Sequence, residues 1–252
     1  MRADGRENDE LRGIDLKLNY TDNPDGSVLI EMGKTKVICT AMVEDKVPIW
    51  MRNSNSGWLT AEYSMLPGST STRKQRDSTR GKQDGRTVEI QRLIGRSLRS
   101  CIDLNLIGQR TIWIDVDVIQ ADGGTRCASI TGGFVALYLA MKKLYDQGVL
   151  EAFPIKNFLG AVSVGKVDDQ ILLDLNYIED SRAQVDMNVI MNDQGEFTEV
   201  QGSGEGGTFS QEEFSTMLAL AQEGIRDIFV DQRLALEQYL EDYKNEKNST
   251  SN

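Results

Sequence analysis

Between residues 26 and 43 the chain reads G-S-V-L-I-E-M-G-K-T-K-V-I-C-T-A-M-V. Both arms are apolar and β-branched, and M-G-K-T stands between them, so the stretch predicts a β-hairpin. Asn23-Pro-Asp-Gly ahead of it is a turn signal. Residues 57–66 predict a further strand. Residues 67–85 are rich in Gly, Ser, Thr and Arg and have no hydrophobic period, which predicts a long, mobile loop. The period then becomes helical over 87–104. Ile90, Ile94, Ser97, Leu98 and Cys101 fall on one face, and Arg92, Arg96 and Arg99 on another. In 111–119 Ile112, Ile114, Val116 and Val118 alternate as in a strand. Residues 128–145 form a long, mostly apolar helix expected between layers.

Past Gly148 the pattern starts again. Residues 159–167 and 171–175 predict a hairpin around Asp168-Asp169, and 185–191 and 197–201 predict two strands. Residues 210–229 predict a helix opened by a Ser210/Glu213 capping box, with a period that continues toward Tyr243. A strand-strand-strand-helix-strand-helix order thus recurs, which predicts two similar α/β halves on one core. The halves are expected at residues 1–150 and 151–240, with a disordered tail at 241–252.

Two stretches carry candidate chemistry. Gln120 to Ser129, Q-A-D-G-G-T-R-C-A-S, follows a strand and opens a helix. Gly123 and Gly124 allow a sharp turn and a close backbone approach, and the first helical amides are free to bind an anion. Thr125 adds a hydroxyl, and Arg126 a fork that matches phosphate oxygens. As a structural reading, the same residues make a Gly-rich turn with a surface arginine. The second stretch, D-L-N-Y-I-E-D-S-R-A-Q-V-D at 174–186, places Glu179, Asp180 and Asp186 at strand ends. Carboxylates near a phosphate site suit oxygen ligation of Mg2+, although strand-end carboxylates also serve as simple turn residues.

Composition narrows the chemistry. The 252 residues contain no histidine, which removes histidine bases, Ser-His triads and His-ligated metals. The net charge is −11, yet residues 73–110 hold ten Lys/Arg against four Asp/Glu, a balance of +6 that leaves −17 elsewhere. A basic segment in an acidic chain is compatible with a local polyanion site. The three cysteines show no metal spacing. No apolar run is long enough to span a membrane and the first ten residues have no apolar stretch. A cytoplasmic protein with reduced thiols and no membrane partner is expected.

R-A-D-G-R at 2–6, G-W-L-T-A-E-Y-S-M-L-P at 57–67, G-R-T-V-E-I-Q-R-L-I-G-R at 85–96, Q-A-D-G-G-T-R at 120–126 and L-D-L-N-Y-I-E-D-S-R-A-Q-V-D-M-N-V at 173–189 together resemble the ribonuclease PH family. The resemblance implies a duplicated βββαβα, two-layer α/β fold, with ribosomal-protein-like halves, assembled as a homohexameric trimer of dimers. It implies a phosphorolytic 3′→5′ exoribonuclease, a phosphate-dependent nucleotidyltransferase, that trims tRNA precursors and other structured RNA such as rRNA. The phosphate site falls on Arg86, Gly124, Thr125 and Arg126. The catalytic or Mg2+-binding acids fall on Asp180 and Asp186, as metal ligands or as the acid that protonates the leaving 3′ oxygen. The RNA-binding arginines fall on Arg73 and Arg76. The family's M-L-P-R-A-T reads M-L-P-G-S-T here, with Gly68 replacing an arginine. A non-catalytic RNA-binding ring subunit and a small-molecule phosphotransferase are the alternatives.

Overall fold

The computed structural model describes residues 2–250, with side chains described for residues 2–241. The first sheet contains β1 (Ile14–Leu18), β2 (Gly26–Met32), β3 (Thr35–Glu44), β4 (Trp58–Met65) and β5 (Thr111–Gln120), in the order β1-β2-β3-β5-β4. Only β4 and β5 run parallel; the other neighbours are antiparallel. The parallel pair needs a crossover, which α1 (Asp77–Arg80) and α2 (Gly85–Ser100) supply. The second sheet contains β6 (Leu159–Val167), β7 (Gln170–Leu173), β8 (Val185–Asn192) and β9 (Phe197–Ser203), all antiparallel in the order β7-β6-β8-β9.

The helix α3 (Thr125–Asp146) lies between the two sheets. It buries residues on every side, including Ile130, Phe134, Leu137 and Met141, so its apolar pattern shows almost no polar face. A Cβ on Gly132 would lie 2.7 Å from Ile30 and 2.9 Å from the Cys39 sulfur, so this helix approaches β2 and β3 closely. The helix α5 (Gln211–Thr250) covers the second sheet with Met217, Ala221, Ile225, Ile228 and Leu236. Its expected capping box is present: Glu213 N donates to Ser210 Oγ at 3.1 Å, and Ser210 N donates to Glu213 Oε2 at 2.8 Å. Buried Gln232 donates to the carbonyls of Leu159 and Thr131, tying α5 to β6 and α3. Most of the segment 241–252, expected as a tail, lies outside the residues with described side chains. No helix among the described residues is long and apolar enough to cross a membrane.

Several elements differ from the sequence pattern. β1 lies outside the predicted strands although Ile14, Leu16 and Leu18 alternate with Asp15 and Lys17; it is a short edge strand whose apolar residues are half-buried and whose polar ones are exposed. The 67–85 loop contains α1. The helix expected over 87–104 starts at Gly85 and stops at Ser100, because Ile102 leaves to bridge Ile155 and the Cys101 carbonyl accepts from Lys156 N. The second half runs β6-β7-α4-β8-β9-α5, with α4 (Tyr177–Asp180) inside the acidic stretch. The repetition therefore lies in the layering, a sheet covered by helices, more than in a residue-by-residue element order. The Asp168-Asp169 turn forms as expected, with both residues at positive φ (+48° and +59°).

Three arginines near the N-terminus hold the halves together. Arg2 grips Glu179 through two bonds of 2.8 and 2.6 Å and donates to the Leu173 carbonyl at 2.8 Å. Arg6 reaches the Asp174 carbonyl at 3.1 Å. Arg12 makes a two-pronged pair with the Asp174 carboxylate, 2.6 and 2.9 Å, and donates to the Asp122 carbonyl at 2.6 Å. Asp174 is 1% exposed and Arg12 6%. Removing one partner of a buried pair strands the other charge. Arg12→Ala is expected to lower stability in urea unfolding by about 3 kcal/mol; a loss below about 1 kcal/mol, the scale of an exposed pair, would contradict this role.

Candidate active site

The Gly-rich loop leaves β5 and enters α3. Gly123 and Gly124 take consecutive positive φ values, +75° and +64°. A Cβ on Gly123 would lie 2.4 Å from the Leu175 carbonyl oxygen, so the loop must pass directly over the chain that leads to Asp180. Thr35 Oγ1 pins the loop from below, donating to the Gly123 carbonyl at 2.7 Å and accepting from Asp122 N at 3.0 Å. Gly124 caps α3 and offers no side chain to the first amides. A 22-residue helix therefore presents its positive end here.

Thr125 and Arg126 occupy the first turn. Thr125 Oγ1 lies 3.0 Å from the hydroxyl of buried Tyr63 on β4. Burial pushes the Tyr63 phenol up, and the Thr125 bond and the charges of Arg86 and Arg126 offset part of that. Arg126 Nη1 donates to Gln201 Oε1 on β9 at 2.6 Å. Arg86 stands exposed on the first turn of α2. Its charge, like that of Arg126, lowers both the Tyr63 phenol and the Asp180 carboxyl, so cations from two helix starts lie near both groups.

The acids arrive from the second half. Asn176 opens α4 with a capping box to Glu179, and Asp180 ends it. Asp186 follows on β8 and accepts from Asn188 Nδ2 at 3.3 Å. Burial raises the Asp180 carboxyl, and Arg86 and Arg126 draw it back in part. Burial, and next the charge of Asp180, push Asp186 from 3.8 up to about 6, with Arg126 opposing. Two ionised carboxylates repelling at close range suit a hard divalent cation with oxygen ligands, water completing its shell. Among the described residues no group of three or more His, Cys, Asp or Glu is arranged to hold a metal ion.

Of the predicted residues, Arg86, Gly124, Thr125, Arg126, Asp180 and Asp186 share one neighbourhood. Glu179, grouped with the acids in the sequence, does not: it turns inward to Arg2. Arg73 and Arg76 sit on the exposed segment before α1, and Arg76 lies near Asp117 of β5. Tyr63, Asn188, Gln201 and Glu89 are site neighbours that spacing alone did not single out. Two clefts, of about 370 and 440 Å3, lie away from these residues, beside Asp25 and Asp146 and beside Ile14 and Leu234.

A model described as domain 1 of the 3′ exoribonuclease family matches residues 10–143, and domain 2 of that family matches residues 157–224. The ribonuclease PH of Halalkalibacterium halodurans is 58% identical over 238 residues, 94% of this chain and 92% of that protein. The ribonuclease PH of Bacillus subtilis is 56% identical over 245 residues, 97% of this chain and 100% of that protein. The chain belongs to the ribonuclease PH family. Two solved structures share the fold at low identity. Rice (Oryza sativa) Rrp46 has a TM-score of 0.76 at 19% identity, covering 93% of this chain and 100% of that one. An Archaeoglobus fulgidus exosome chain, from a structure with RNA bound to the active site, has a TM-score of 0.77 at 20% identity, covering 90% and 91%.

Membership of the ribonuclease PH family makes the duplicated α/β fold and the 3′ exoribonuclease activity properties of this chain. The electrostatic cost of the acids remains measurable in the fold. Asp186 titrates higher in the folded chain than unfolded, so its ionised form opposes folding fully above about pH 6, and the opposition fades as pH falls toward 3.8. In a chelator, Asp186→Asn is expected to raise stability at pH 7.5 by on the order of 2 kcal/mol, with a smaller gain at pH 5. A variant less stable than the parent at pH 7.5 would contradict this electrostatic picture.

Proposed function

We propose that this chain removes nucleotides one at a time from the 3′ ends of tRNA precursors, and of other structured RNA such as rRNA, with inorganic phosphate as attacking group. The observation that carries the reading is the meeting of Arg86, the Gly124–Arg126 helix start and the Asp180/Asp186 pair. Phosphate is held by the amides of Gly124–Arg126, the Thr125 hydroxyl and Arg86. A phosphate oxygen forms a bond to the terminal phosphorus as the bond to the penultimate 3′ oxygen breaks. Arg126 meets the charge that grows on the phosphoryl oxygens. Asp180 and Asp186 would together hold Mg2+, or one of them, when protonated, would give its proton to the leaving 3′ oxygen. Mg2+ held by these carboxylates would supply positive charge at the phosphoryl group. The products are a nucleoside 5′-diphosphate and an RNA one nucleotide shorter, so excess diphosphate drives addition.

Arg73 and Arg76, exposed on the basic segment, guide RNA by its phosphates and read little sequence. The assembly is a homohexamer, a trimer of dimers. Support comes from the family and from Ile49 and Trp50, apolar residues 76% and 69% exposed in the single chain. The chain works in the cytoplasm, where its three buried cysteines stay as free thiols. Retention of Arg86, Thr125, Arg126, Asp180 and Asp186 favours an enzyme over a non-catalytic ring subunit.

Arg126→Ala is expected to lower kcat/KM for phosphorolysis by about 100-fold or more while the fold persists; near-parental activity would refute its role. Gly68 is exposed, and a Cβ there meets nothing within 4 Å, so an arginine fits without strain. Gly68→Arg is expected to tighten tRNA binding and steepen the plot of log affinity against log salt by about one. An unchanged affinity and slope would show that this position does not contact RNA.

A further inference from the structure

Three side chains form a closed triangle beside the phosphate cradle. Arg126 Nη1 donates to Gln201 Oε1 at 2.6 Å and lies 3.7 Å from Glu89 Oε1. Gln201 Nε2 donates to that same Glu89 oxygen at 3.0 Å. Arg126 belongs to α3, Glu89 lies three residues after Arg86 on α2, and Gln201 lies on the edge strand β9. One guanidinium thus joins both halves of the chain at the place proposed for phosphate.

Two groups of acceptors compete for that guanidinium. Asp180 and Asp186 are near enough to feel its charge, yet it makes no hydrogen bond or ion pair with either acid among the described residues. An arginine free to fold onto them would neutralise the acids and lose its own capacity for phosphate. Its direct contacts are instead Gln201 and Glu89. A neutral amide suits the middle position, because its oxygen accepts from Arg126 while its NH2 donates to Glu89. Glu89 adds attraction from 3.7 Å without a close two-pronged pair, so other N–H groups of the fork stay available.

We propose that Gln201 and Glu89 are positioning residues that hold the Arg126 guanidinium off Asp180 and Asp186 and present it to inorganic phosphate. The assignment rests on the reading of Arg126 as a phosphate ligand. It gives the second half of the chain a part in phosphate binding through β9, beside the part its acids play.

The α2–β9 seam supplies an internal control. Arg96 pairs with Glu199 at 2.5 Å, and Ser100 bonds Thr198 at 3.0 Å, without touching Arg126. The test is steady-state phosphorolysis by the full chain, with phosphate varied at saturating RNA and RNA varied at saturating phosphate. Gln201→Ala is expected to raise KM for phosphate about tenfold, the worth of one bond to a charged group, and to leave KM for RNA and the melting temperature unchanged. Gln201→Ala with Glu89→Ala is expected to be no worse than the poorer single variant, because both act through one guanidinium. Arg96→Ala is expected to leave KM for phosphate unchanged. An unchanged or lower KM for phosphate in Gln201→Ala would overturn the assignment. So would an equal rise in Arg96→Ala, or a loss shared by RNA binding and melting temperature, since each marks a structural seam. RNA shortening by the unsubstituted chain that needs no phosphate would instead remove the phosphorolytic reading, and this proposal with it.

Discussion

The buried pair between Arg12 and Asp174 is the constraint on which the site depends. Asp174 follows β7 at a positive φ of +52° and starts the acidic stretch; Arg12 grips its carboxylate and also holds the carbonyl of Asp122 in the Gly-rich loop. One guanidinium therefore fixes the distance between the anion-binding loop of one half and the acid-bearing turn of the other. Nothing local does this, since the two segments are some fifty residues apart in sequence and belong to different sheets. Arg2, bound to Glu179, sets the turn after Asp174 in the same way. Polar pairs this deep are weak sources of stability but strong determinants of geometry when both partners are present.

With the halves fixed, opposite charges are held close without cancelling. Burial pushes both acids up, and at Asp186 the charge of Asp180 adds to it; Arg126 draws both down and Arg86 draws Asp180 down, yet for both acids the upward influences win. An environment that raises a carboxylate while cations stand nearby is prepared for an anionic ligand and for a counter-ion or proton. The chain is acidic overall, and the segment around α1 and α2 is net basic, with ten of the 28 Lys/Arg against four Asp/Glu in residues 73–110. Such a segment is suited to attract a polyanion locally while the acidic remainder repels it.

The sequence was most legible where chemistry and local structure coincide. The loop at Gly123-Gly124 could be read because two adjacent positive-φ positions and a helix start require those residue types in that order. The hairpins and α3 followed from local periodicity and β-branching. Glu179 was misleading because its neighbours in sequence are site acids, while its partner, Arg2, lies 177 residues away. Tyr63, Gln201 and Glu89 were hidden for a related reason: each is ordinary in its own element and gains meaning only from what packs against it. R-A-D-G-R at 2–6 signalled the family, but its structural purpose, burying arginines against the acid turn, appears only in three dimensions.

Phosphate is the proposed attacking group, and the fate of that phosphate tests the proposed reaction most directly. Radiolabelled inorganic phosphate would be supplied with Mg2+ and a tRNA carrying a 3′ extension, and the released nucleotides separated. Label recovered in nucleoside 5′-diphosphates is the predicted result. Unlabelled nucleoside monophosphates, released equally well without phosphate, would mean hydrolysis and would contradict the role given to the Arg86–Gly124–Arg126 cradle.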